Sequence, residues 1–545
     1  MGTCVHVGGL YHFLKMAEAE GYHSILLGPA VSVDRIVEAL RGERPEIMAV
    51  SYRLTPEVAG SLFAELAEKL TAADRARTKL VFGGTPPVAV LARESGLFGA
   101  VFDGTGSPEE IRTYLRGSGE EAGTTRFAHD LPGRIAMNHP YPVLRHHFGR
   151  PTMQETIDGI REIAEEGVLD VISIGTDQNA QEHFFRPGEM EASMDGAGGV
   201  PVRSPADMKA LYQASRCGNF PLMRCYAGTR DLQQWAEMSV ATIRNAWAAI
   251  PLCWYSELDG RSQRTLEEAI SENREVMGWY ARQQIPVEVN ESHQWSLRDA
   301  HDALAVTMAY LAALNAKSAG VRQYVAQFMF NTPPGTSPVM DLAKMGAKTD
   351  LIGELEDGSF SVYREVRAGI AHFSPVPDIA KGQLAASALV SLAMKPHILH
   401  VVGHSEGDHA TYPGELIESC RIVHGVIRNV LGGMPDPWTD ETLVRRREQL
   451  VSEARALIGM LRWYGSEFED PLTSPEVLGA AIRAGILDTP HFRGNPTFTG
   501  NTITGLFNGA WHAVDPATGG IMDEPARIAA LKKKIKPLSK HAVKK

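Results

Sequence analysis

The segment Asp170-Val-Ile-Ser-Ile-Gly-Thr-Asp-Gln178 joins a short apolar run to polar side chains. Polar residues also follow the apolar runs at 221–226, 250–255, 287–289, 324–330 and 398–402. Amphipathic stretches lie between these runs. Repeated units of strand, polar loop and helix over about 350 residues are typical of a (β/α)8 TIM barrel, whose chemistry gathers at the carboxyl ends of the strands. An open doubly wound sheet gives a similar pattern and stays an alternative.

Residues 1–115 show the same alternation on a smaller scale. Strand candidates at 24–27, 47–51 and 79–82 are separated by stretches with helical spacing, and Cys4–Gly8 is a further candidate. Strands that alternate with helices form a parallel sheet covered on both faces. We therefore expect an α/β chain in which a small Rossmann-like (flavodoxin-like) domain precedes the barrel.

Changes in composition set the expected domain boundaries. The segment 117–126 is rich in Gly, Glu and Thr, which suits a surface linker because such residues bury no apolar face. The region near 494–509 is rich in Gly, Asn and Thr, which predicts an irregular cap. The expected divisions are a Rossmann-like domain at 1–116, a linker at 117–130, a barrel at 131–465, a C-terminal cap at 466–530 and a basic tail at 531–545.

Composition excludes several classes of function. The net charge is −11 although seven lysines crowd into 532–545, and this acidic balance argues against nucleic-acid binding. Five scattered cysteines predict neither a disulfide framework nor a zinc ribbon. No apolar run approaches the roughly 18 residues that span a bilayer, and no signal peptide is visible. We expect a cytoplasmic homodimer that acts on a small molecule, with neither nucleic acid nor membrane as partner.

Two turns in the N-terminal region carry small and hydroxylated side chains. Ser51-Tyr-Arg-Leu-Thr55 follows one predicted strand, and Gly83-Gly84 follows the next. Such residues at adjacent strand ends allow a backbone to approach a flat or elongated ligand closely. A Gly-Gly pair after a strand is also compatible with a plain turn.

The order of these segments resembles the cobalamin-binding domain of corrinoid methyltransferases and B12-dependent mutases. That family carries Asp-x-His-x-x-Gly, then Ser-x-Leu, then Gly-Gly, and this chain has Cys4-Val-His6-Val-Gly-Gly9 in the first place. The resemblance implies a cobalamin cofactor, with His6 as the metal ligand below cobalt or as a merely structural histidine. It also implies cofactor contacts from Ser51, Thr55, Gly83 and Gly84.

The larger region resembles the catalytic-chain family of glutamate mutase, an adenosylcobalamin-dependent isomerase. The resemblance lies in Glu288-Val-Asn-Glu291, the predicted helix 300–316, Asn331-Thr332-Pro333 and the segment 481–490. It implies a B12-dependent mutase that rearranges a carbon skeleton by a radical route. Asn331 and Thr332 fall where that family holds the adenosyl ribose, but Asn replaces its Lys. Adenosylcobalamin is therefore favoured, and methylcobalamin is possible.

The same resemblance bears on the substrate. The family clamps a dicarboxylate with several arginines, and only Arg230 keeps its counterpart here, so we expect a small polar acid other than glutamate. Further polar residues at predicted strand ends are candidates for substrate binding. They are Asp177, Gln178, Arg224, Glu257 and His404.

Three ionisable residues after predicted strands are candidates for catalysis. Glu291 and His293 follow the strand at 287–289, and Glu406 lies in the dense cluster 403–409. A satisfied buried pair, a metal site in the cluster and plain loop solvation are the alternative interpretations. Two alternative functions also stay open: a corrinoid-dependent methyltransferase, and a non-catalytic cobalamin carrier or sensor.

Overall fold

The computed structural model describes residues 1–105, 108–116, 127–226, 228 and 230–543. The chain divides into two units, Met1–Gly123 and Thr124–Lys545. Most of the expected linker, 117–126, lies outside the described residues. No described helix is long and apolar enough to cross a membrane.

The first unit is a three-stranded parallel sheet flanked by helices, in the order β1-β2-β3. Ile47 pairs with Lys79, and Val81 pairs with Ala100. The elements are α1 (Gly8–Ala19), α2 (Val33–Glu43), β1 (Ile47–Tyr52), α3 (Pro56–Lys69), α4 (Ala72–Arg77), β2 (Lys79–Gly84), α5 (Pro86–Glu94), β3 (Ala100–Phe102) and α6 (Pro108–Arg116).

Two expected strands do not form in this unit. Residues 4–7 are not a strand and α1 begins at Gly8, while 24–27 joins no ladder. The physical reason lies in local backbone bonds, because Gly2 N donates to Val31 O and Ala30 N donates to Cys4 O. The first residues thus bond to the loop before α2 instead of to a neighbouring strand.

The second unit contains eight parallel strands in the order β6-β5-β4-β11-β10-β9-β8-β7. Its first elements are α7 (Leu131–Asn138), β4 (Val143–Phe148), α8 (Met153–Glu166), β5 (Val171–Ile174), α9 (Gln178–His183), α10 (Pro205–Ala214), β6 (Leu222–Cys225), α11 (Leu232–Ile243), β7 (Ala248–Ile250), α12 (Leu266–Arg282), β8 (Val287–Val289) and α13 (Ser292–Ser296). The strand–helix pattern continues with α14 (Asp302–Ser318), β9 (Gln323–Phe330), α15 (Pro338–Gly353), β10 (Ser361–Ala368), α16 (Pro377–Leu392), β11 (Ile398–His400) and α17 (Pro413–Leu431).

The two end strands of this sheet, β6 and β7, approach each other. Ala246 N donates to Met223 O at 2.9 Å, and Cys225 N donates to Asn245 Oδ1 at 3.0 Å. The sheet therefore curls into a nearly closed barrel, which confirms the expected fold class and removes the open-sheet alternative. An apolar cluster that includes Leu131, Val143 and Ile398 fills the amino-terminal end of the barrel.

The C-terminal region is more regular than its composition suggests. It contains α18 (Glu441–Tyr464), α19 (Pro475–Arg483), β12 (Ile503–Phe507), β13 (Ala510–Val514), β14 (Ile521–Met522), α20 (Glu524–Lys532) and α21 (Lys540–Val543). The expectation of an irregular segment overlooked the Asn508-Gly509 turn, in which both residues have positive φ. Asn-Gly turns of this kind join antiparallel strands in hairpins, and β12 pairs with β13 here.

Candidate functional site

Charged side chains line the interior of the barrel. Because alternate residues of a strand face the same side, Arg145 and His147 of β4 point inward together, as do Glu365 and Arg367 of β10. Barrel interiors are ordinarily filled with branched apolar residues. A polar interior above an apolar plug therefore indicates a binding site that opens toward the carboxyl ends of the strands.

Two buried ion pairs form the lower part of this interior. Arg145 Nε lies 2.7 Å from Glu365 Oε1, and Arg224 Nη1 lies 2.8 Å from Glu288 Oε2. All four side chains are fully buried. Burying an ion pair costs desolvation energy that the Coulomb attraction repays only partly, so stability alone does not explain two such pairs. The presence of these two buried pairs therefore favours a functional role.

Several buried polar atoms in this interior have no hydrogen-bond partner among the residues that the structure describes. They are His147 Nδ1, His400 Nδ1, Arg224 Nε and Nη2, Glu365 Oε2 and Gln327 Oε1. Buried polar groups in native proteins are nearly always hydrogen-bonded, to protein or to water. Unmatched atoms concentrated in one barrel interior therefore mark a place for a polar ligand or ordered water. We call the residues Arg145, His147, Arg224, Tyr226, Glu288, Gln327, Glu365, Arg367 and His400 the barrel cluster.

The histidines of the barrel cluster are neutral near neutral pH. Burial lowers the pKa of His147 well below its ordinary value, and the nearby charges of Arg145 and Arg224 lower it further. Burial and the charge of Arg145 likewise lower the pKa of His400 well below its ordinary value. The Tyr226 hydroxyl lies 2.5 Å from His147 Nε2, and the two rings stack at 4.4 Å. Neutral imidazoles of this kind donate and accept hydrogen bonds without adding charge.

Two of the three predicted catalytic residues lie close to the barrel cluster. His293, on α13, is buried, and burial lowers its pKa well below the ordinary value. The charge of Arg367 lowers that pKa further. Glu406 Oε1 accepts a hydrogen bond from Gly403 N at 2.7 Å and lies 3.5 Å from His146 Nδ1. Both residues follow strands, His293 after β8 and Glu406 after β11, so they lie at the carboxyl-terminal side of the barrel.

Glu291, the third predicted catalytic residue, is bound by protein groups on both oxygens. One oxygen accepts from Leu252 N and Cys253 N at 2.9 and 3.0 Å, and the other accepts from Trp295 Nε1 at 2.7 Å. The side chain is fully buried. Glu291 thus fixes the loop after β7 to the loop after β8, and its geometry fits positioning better than chemistry.

The predicted substrate residues are divided between the barrel interior and its rim. Arg224 alone joins the barrel cluster, and His404 is buried against Ser419, with Nδ1 2.9 Å from Oγ. Asp177 caps α9 and pairs with Arg203, while Gln178 next to it is exposed.

The two remaining substrate candidates form ion pairs with other protein side chains. Arg230 donates to Glu189 at 2.8 Å, and Glu257 accepts from Arg483 at 2.6 Å. Both pairs are partly exposed. Each charge is thus already balanced within the chain.

The dense segment 403–409 does not form a metal centre in the described structure. His409 bonds to Asp408 and Glu415, whereas His404 turns to Ser419. Within the described ranges, no group of three or more His, Cys, Asp or Glu side chains is placed to hold a metal ion.

Asn331 and Thr332 follow β9 in a tightly held turn. Asn331 has a φ of 54°, and its amide N donates to Asp341. Thr332 O accepts from the buried Lys344 at 2.8 Å, and Lys344 also pairs with Asp302 and Asp341. This network holds the turn in a fixed conformation at the carboxyl end of the barrel.

Lys348, one helical turn beyond Lys344, is buried but unpaired. Its ammonium has no hydrogen bond or ion pair within the part of the chain that the structure describes, and burial lowers its pKa to about 7. The unfolded chain therefore binds more protons between about pH 7 and pH 10, and the free energy of unfolding rises with pH across that window.

Replacing Lys348 by methionine is expected to raise the free energy of unfolding at pH 6 by about 2 kcal/mol or more, because a buried charge is removed. The gain shrinks as the pH rises toward 10, because the lysine is by then neutral in the folded state and its cost of burial has fallen. Urea denaturation at several pH values measures this difference. A gain that does not depend on pH would contradict the account of this residue.

Sequence reasoning missed most of the barrel cluster. The members that were not among the predicted site residues each lie in a strand or directly after one: Arg145, His147, Tyr226, Glu288, Gln327, Glu365, Arg367 and His400. One sequence signal could have identified these residues: ionisable residues two positions apart in a predicted strand, as in Arg145 and His147 and in Glu365 and Arg367. Such spacing places both side chains on one face of a strand.

In the first unit, open space lies at the carboxyl ends of β1 and β2. A Cβ added at Gly8, Gly9 or Gly83 would meet no atom within 4 Å, whereas at Gly84 it would meet Tyr52 O and the Phe82 ring. Thr55 begins α3 without a side-chain capping bond. A free hydroxyl beside uncovered backbone is the arrangement that a flat ligand needs for close approach.

His6 lies in the loop before α1. Its side chain is exposed, and Nδ1 lies 3.7 Å from the Sγ of buried Cys4. Ser51 is buried, and its hydroxyl donates to His6 O at 3.5 Å, which ties this loop to the end of β1. The imidazole is thus free to bind a ligand, with a thiol as its neighbour.

Exposed apolar side chains accompany this edge of the first unit. Val5 precedes His6, and Leu54 and Val58 flank the start of α3; all three are exposed. Apolar side chains beside a free hydroxyl and an exposed imidazole match a large ring with methyl groups and amide side chains on its rim and a metal at its centre. The residues present therefore fit a corrin.

Comparison with known proteins agrees with this geometry. The family model described as B12 binding domain matches residues 1–111. A search of curated proteins found no match to the chain. The match covers most of the first unit and includes His6, Ser51, Thr55 and Gly83. Residues 1–111 thus correspond to a B12 binding domain, which implies a cobalamin-dependent protein.

Proposed function

We propose that the chain is a cobalamin-dependent isomerase that rearranges the carbon skeleton of a small polar acid other than glutamate. The observation that carries the proposal is the set of unmatched polar atoms inside the barrel, in a chain whose first unit matches a B12 binding domain. A carrier or sensor has no need for a barrel interior with buried charges, because those charges cost folding free energy.

The residues of the first unit supply the cofactor site in this proposal. His6 would bind the cobalt, Gly8, Gly9 and Gly83 would leave room for the ring, and the Thr55 hydroxyl would donate a hydrogen bond to it. Ser51 holds the His6 loop through its bond to His6 O. When bound, adenosylcobalamin supplies an organic radical by homolysis of its cobalt–carbon bond.

The barrel residues hold the acid and protect it from water. The apolar plug closes the amino-terminal end, and neutral His147 and His400 offer hydrogen bonds to uncharged substrate groups. Exclusion of water matters because reactive intermediates are otherwise quenched. His293 and Glu406 border this space and are the groups that hold or move a proton during the rearrangement. Glu291 keeps the loops after β7 and β8 in place.

Hydrogen exchange between cofactor and substrate tests the proposed isomerase directly. The full chain is loaded with adenosylcobalamin deuterated at the 5′ carbon, incubated with a panel of small carboxylic acids without oxygen, and examined by mass spectrometry. We expect deuterium to enter at least one acid and its rearranged product. Demethylation of bound methylcobalamin without any exchange would favour a methyltransferase, and retention of cobalamin with neither reaction would favour a carrier; either result contradicts the proposal.

Replacing His6 by alanine is expected to change the visible spectrum of bound hydroxocobalamin, because the lower nitrogen ligand of cobalt is lost. His12→Ala is the matched control, since His12 is also exposed but lies within α1. The spectra of both variants are compared with that of the unaltered chain. Identical spectra for His6→Ala and the unaltered chain would remove His6 as the cobalt ligand.

A further inference from the structure

Arg367 occupies a distinctive position in the barrel. It lies two residues after Glu365 on β10, so it faces the interior one step closer to the carboxyl end of the strand. Met329 of β9 is its partner in register. Arg364 of the same strand faces the opposite way and bonds to the carbonyls of Met394 and Lys395. Of these two arginines, only Arg367 points into the barrel interior.

The charge of Arg367 has no carboxylate partner among the described residues. Its one hydrogen bond there runs from Nε to Ala368 O at 3.3 Å. By contrast, Arg145 pairs with Glu365 and Arg224 pairs with Glu288, each within normal ion-pair distance. The two terminal nitrogens of Arg367 are thus available, and their planar fork matches the two oxygens of a carboxylate.

Burial lowers the pKa of Arg367, and the charges of Arg145, Glu365 and Glu406 also act on it. Burial lowers the pKa of His146, His147, His293 and His400, and Arg367 is a further cause in each case. The charge of Arg367 thus acts on all four rings. The nearby carboxylates are already engaged, Glu365 by Arg145 and Glu406 by Gly403 N with His146 at 3.5 Å.

A second, independent observation concerns His147. Arginine can only donate, so the contact from Arg145 Nη1 makes His147 Nε2 an acceptor. The hydrogen of this neutral ring therefore resides on Nδ1, which is buried and has no partner in the described chain. A free donor and an unpaired guanidinium that face the same barrel interior suit a ligand with one carboxylate and a separate hydrogen-bond acceptor.

We propose that Arg367 binds the substrate's carboxylate through two parallel hydrogen bonds, and that the barrel selects monocarboxylic acids with an uncharged polar substituent. This inference rests on the proposed function and specifies its substrate class. Within the described barrel cluster a second carboxylate would find no unpaired arginine, since Arg145 pairs with Glu365 and Arg224 pairs with Glu288. Dicarboxylic acids are therefore excluded by charge, because an unpaired buried carboxylate is costly.

Binding of acids to the full chain without cobalamin tests the proposal, measured by isothermal titration calorimetry. The probes are butanoate, 2-hydroxybutanoate, succinate and glutamate. We expect 2-hydroxybutanoate to bind at least ten times more tightly than succinate or glutamate. Arg367→Gln should weaken this binding at least tenfold, and Arg367→Lys should weaken it less, because the charge remains but the fork is lost. Arg364→Gln, on the other face of β10, should bind as the unaltered chain does.

Several outcomes would overturn the proposal. They are equal binding by the unaltered chain and Arg367→Gln, binding of succinate as tight as that of 2-hydroxybutanoate, and binding of none of the four acids. Circular dichroism checks that each variant is folded, and Arg367→Lys provides the test if Arg367→Gln does not fold. Because the measurement omits cobalamin, its result is separate from that of the exchange experiment. Binding that depends on Arg367 without deuterium exchange would leave the carboxylate site intact and reject the isomerase.

Discussion

Replacing Glu288 by glutamine is expected to lower the free energy of unfolding by about 3–5 kcal/mol, because it leaves the buried Arg224 charge unpaired. Glu288 is fully buried and accepts hydrogen bonds from Arg224, Trp247 and Gln327 at 2.8, 2.8 and 2.9 Å. Glutamine keeps the size of the side chain and removes its charge. Chemical denaturation followed by tryptophan fluorescence measures the loss.

The double variant Arg224→Met with Glu288→Gln is the control for this prediction. Removing both charges should recover most of the stability, since no buried ion is then left without a partner. It should nevertheless reduce catalysis, because Arg224 belongs to the barrel cluster. If Glu288→Gln proved as stable as the unaltered chain, the two side chains would not form a desolvated ion pair.

Replacing His147 by alanine is expected to reduce deuterium exchange into the substrate at least 100-fold. His147 Nδ1 is the free donor of the barrel cluster, and removing one well-placed donor from a buried site typically costs about 10²–10³ in rate. Cobalamin affinity should not change, because the residues assigned to the cofactor lie in the first unit. Exchange is measured with the loaded full chain and its deuterated cofactor.

His129→Ala serves as the matched control for His147, since His129 is exposed and outside the barrel cluster. We expect it to retain the exchange rate of the unaltered chain. A His147→Ala variant that exchanged deuterium at the full rate would show that the barrel cluster does not contact the substrate.

The barrel was predictable because its signal is local and repeated. Each strand is a short apolar run followed by polar residues, as at 170–178, and no long-range information is needed to recognise it. The same rule placed His293 and Glu406 after strands, and the structure brings both close to the barrel cluster.

The identity of the inward-facing residues was harder to predict. A shift of one residue in register exchanges the two faces of a strand, so the sequence alone does not say whether His146 or His147 faces the interior. Glu291 presents a related difficulty. Its partners Leu252 and Cys253 lie almost forty residues earlier, in a loop from another strand. A carboxylate that follows a strand is therefore predicted to be catalytic as long as its hydrogen bonds are unknown.

In the N-terminal unit, the family resemblance predicted the cofactor better than the hydrophobic periodicity predicted the strands. Strand reasoning predicted 4–8 and 24–27 as strands, and neither forms one; the first residues bond instead to the loop before α2. The ordered segments around His6, Ser51 and Gly83 nevertheless indicated cobalamin, and the family match to residues 1–111 supports this interpretation. The expected homodimer stays a prediction.

Retention of cobalamin tests the central claim most directly. The full chain is incubated with adenosylcobalamin in the dark, desalted, and examined by visible spectroscopy alongside Gly83→Leu and the control Gly42→Leu. Both glycines have no atom within 4 Å of an added Cβ, but only Gly83 lies at the end of β2, where the ring is expected. We expect about one cobalamin per chain for the unaltered protein and Gly42→Leu, and none for Gly83→Leu. Absence of retained corrinoid from the unaltered chain, or equal retention by Gly83→Leu, would contradict the account.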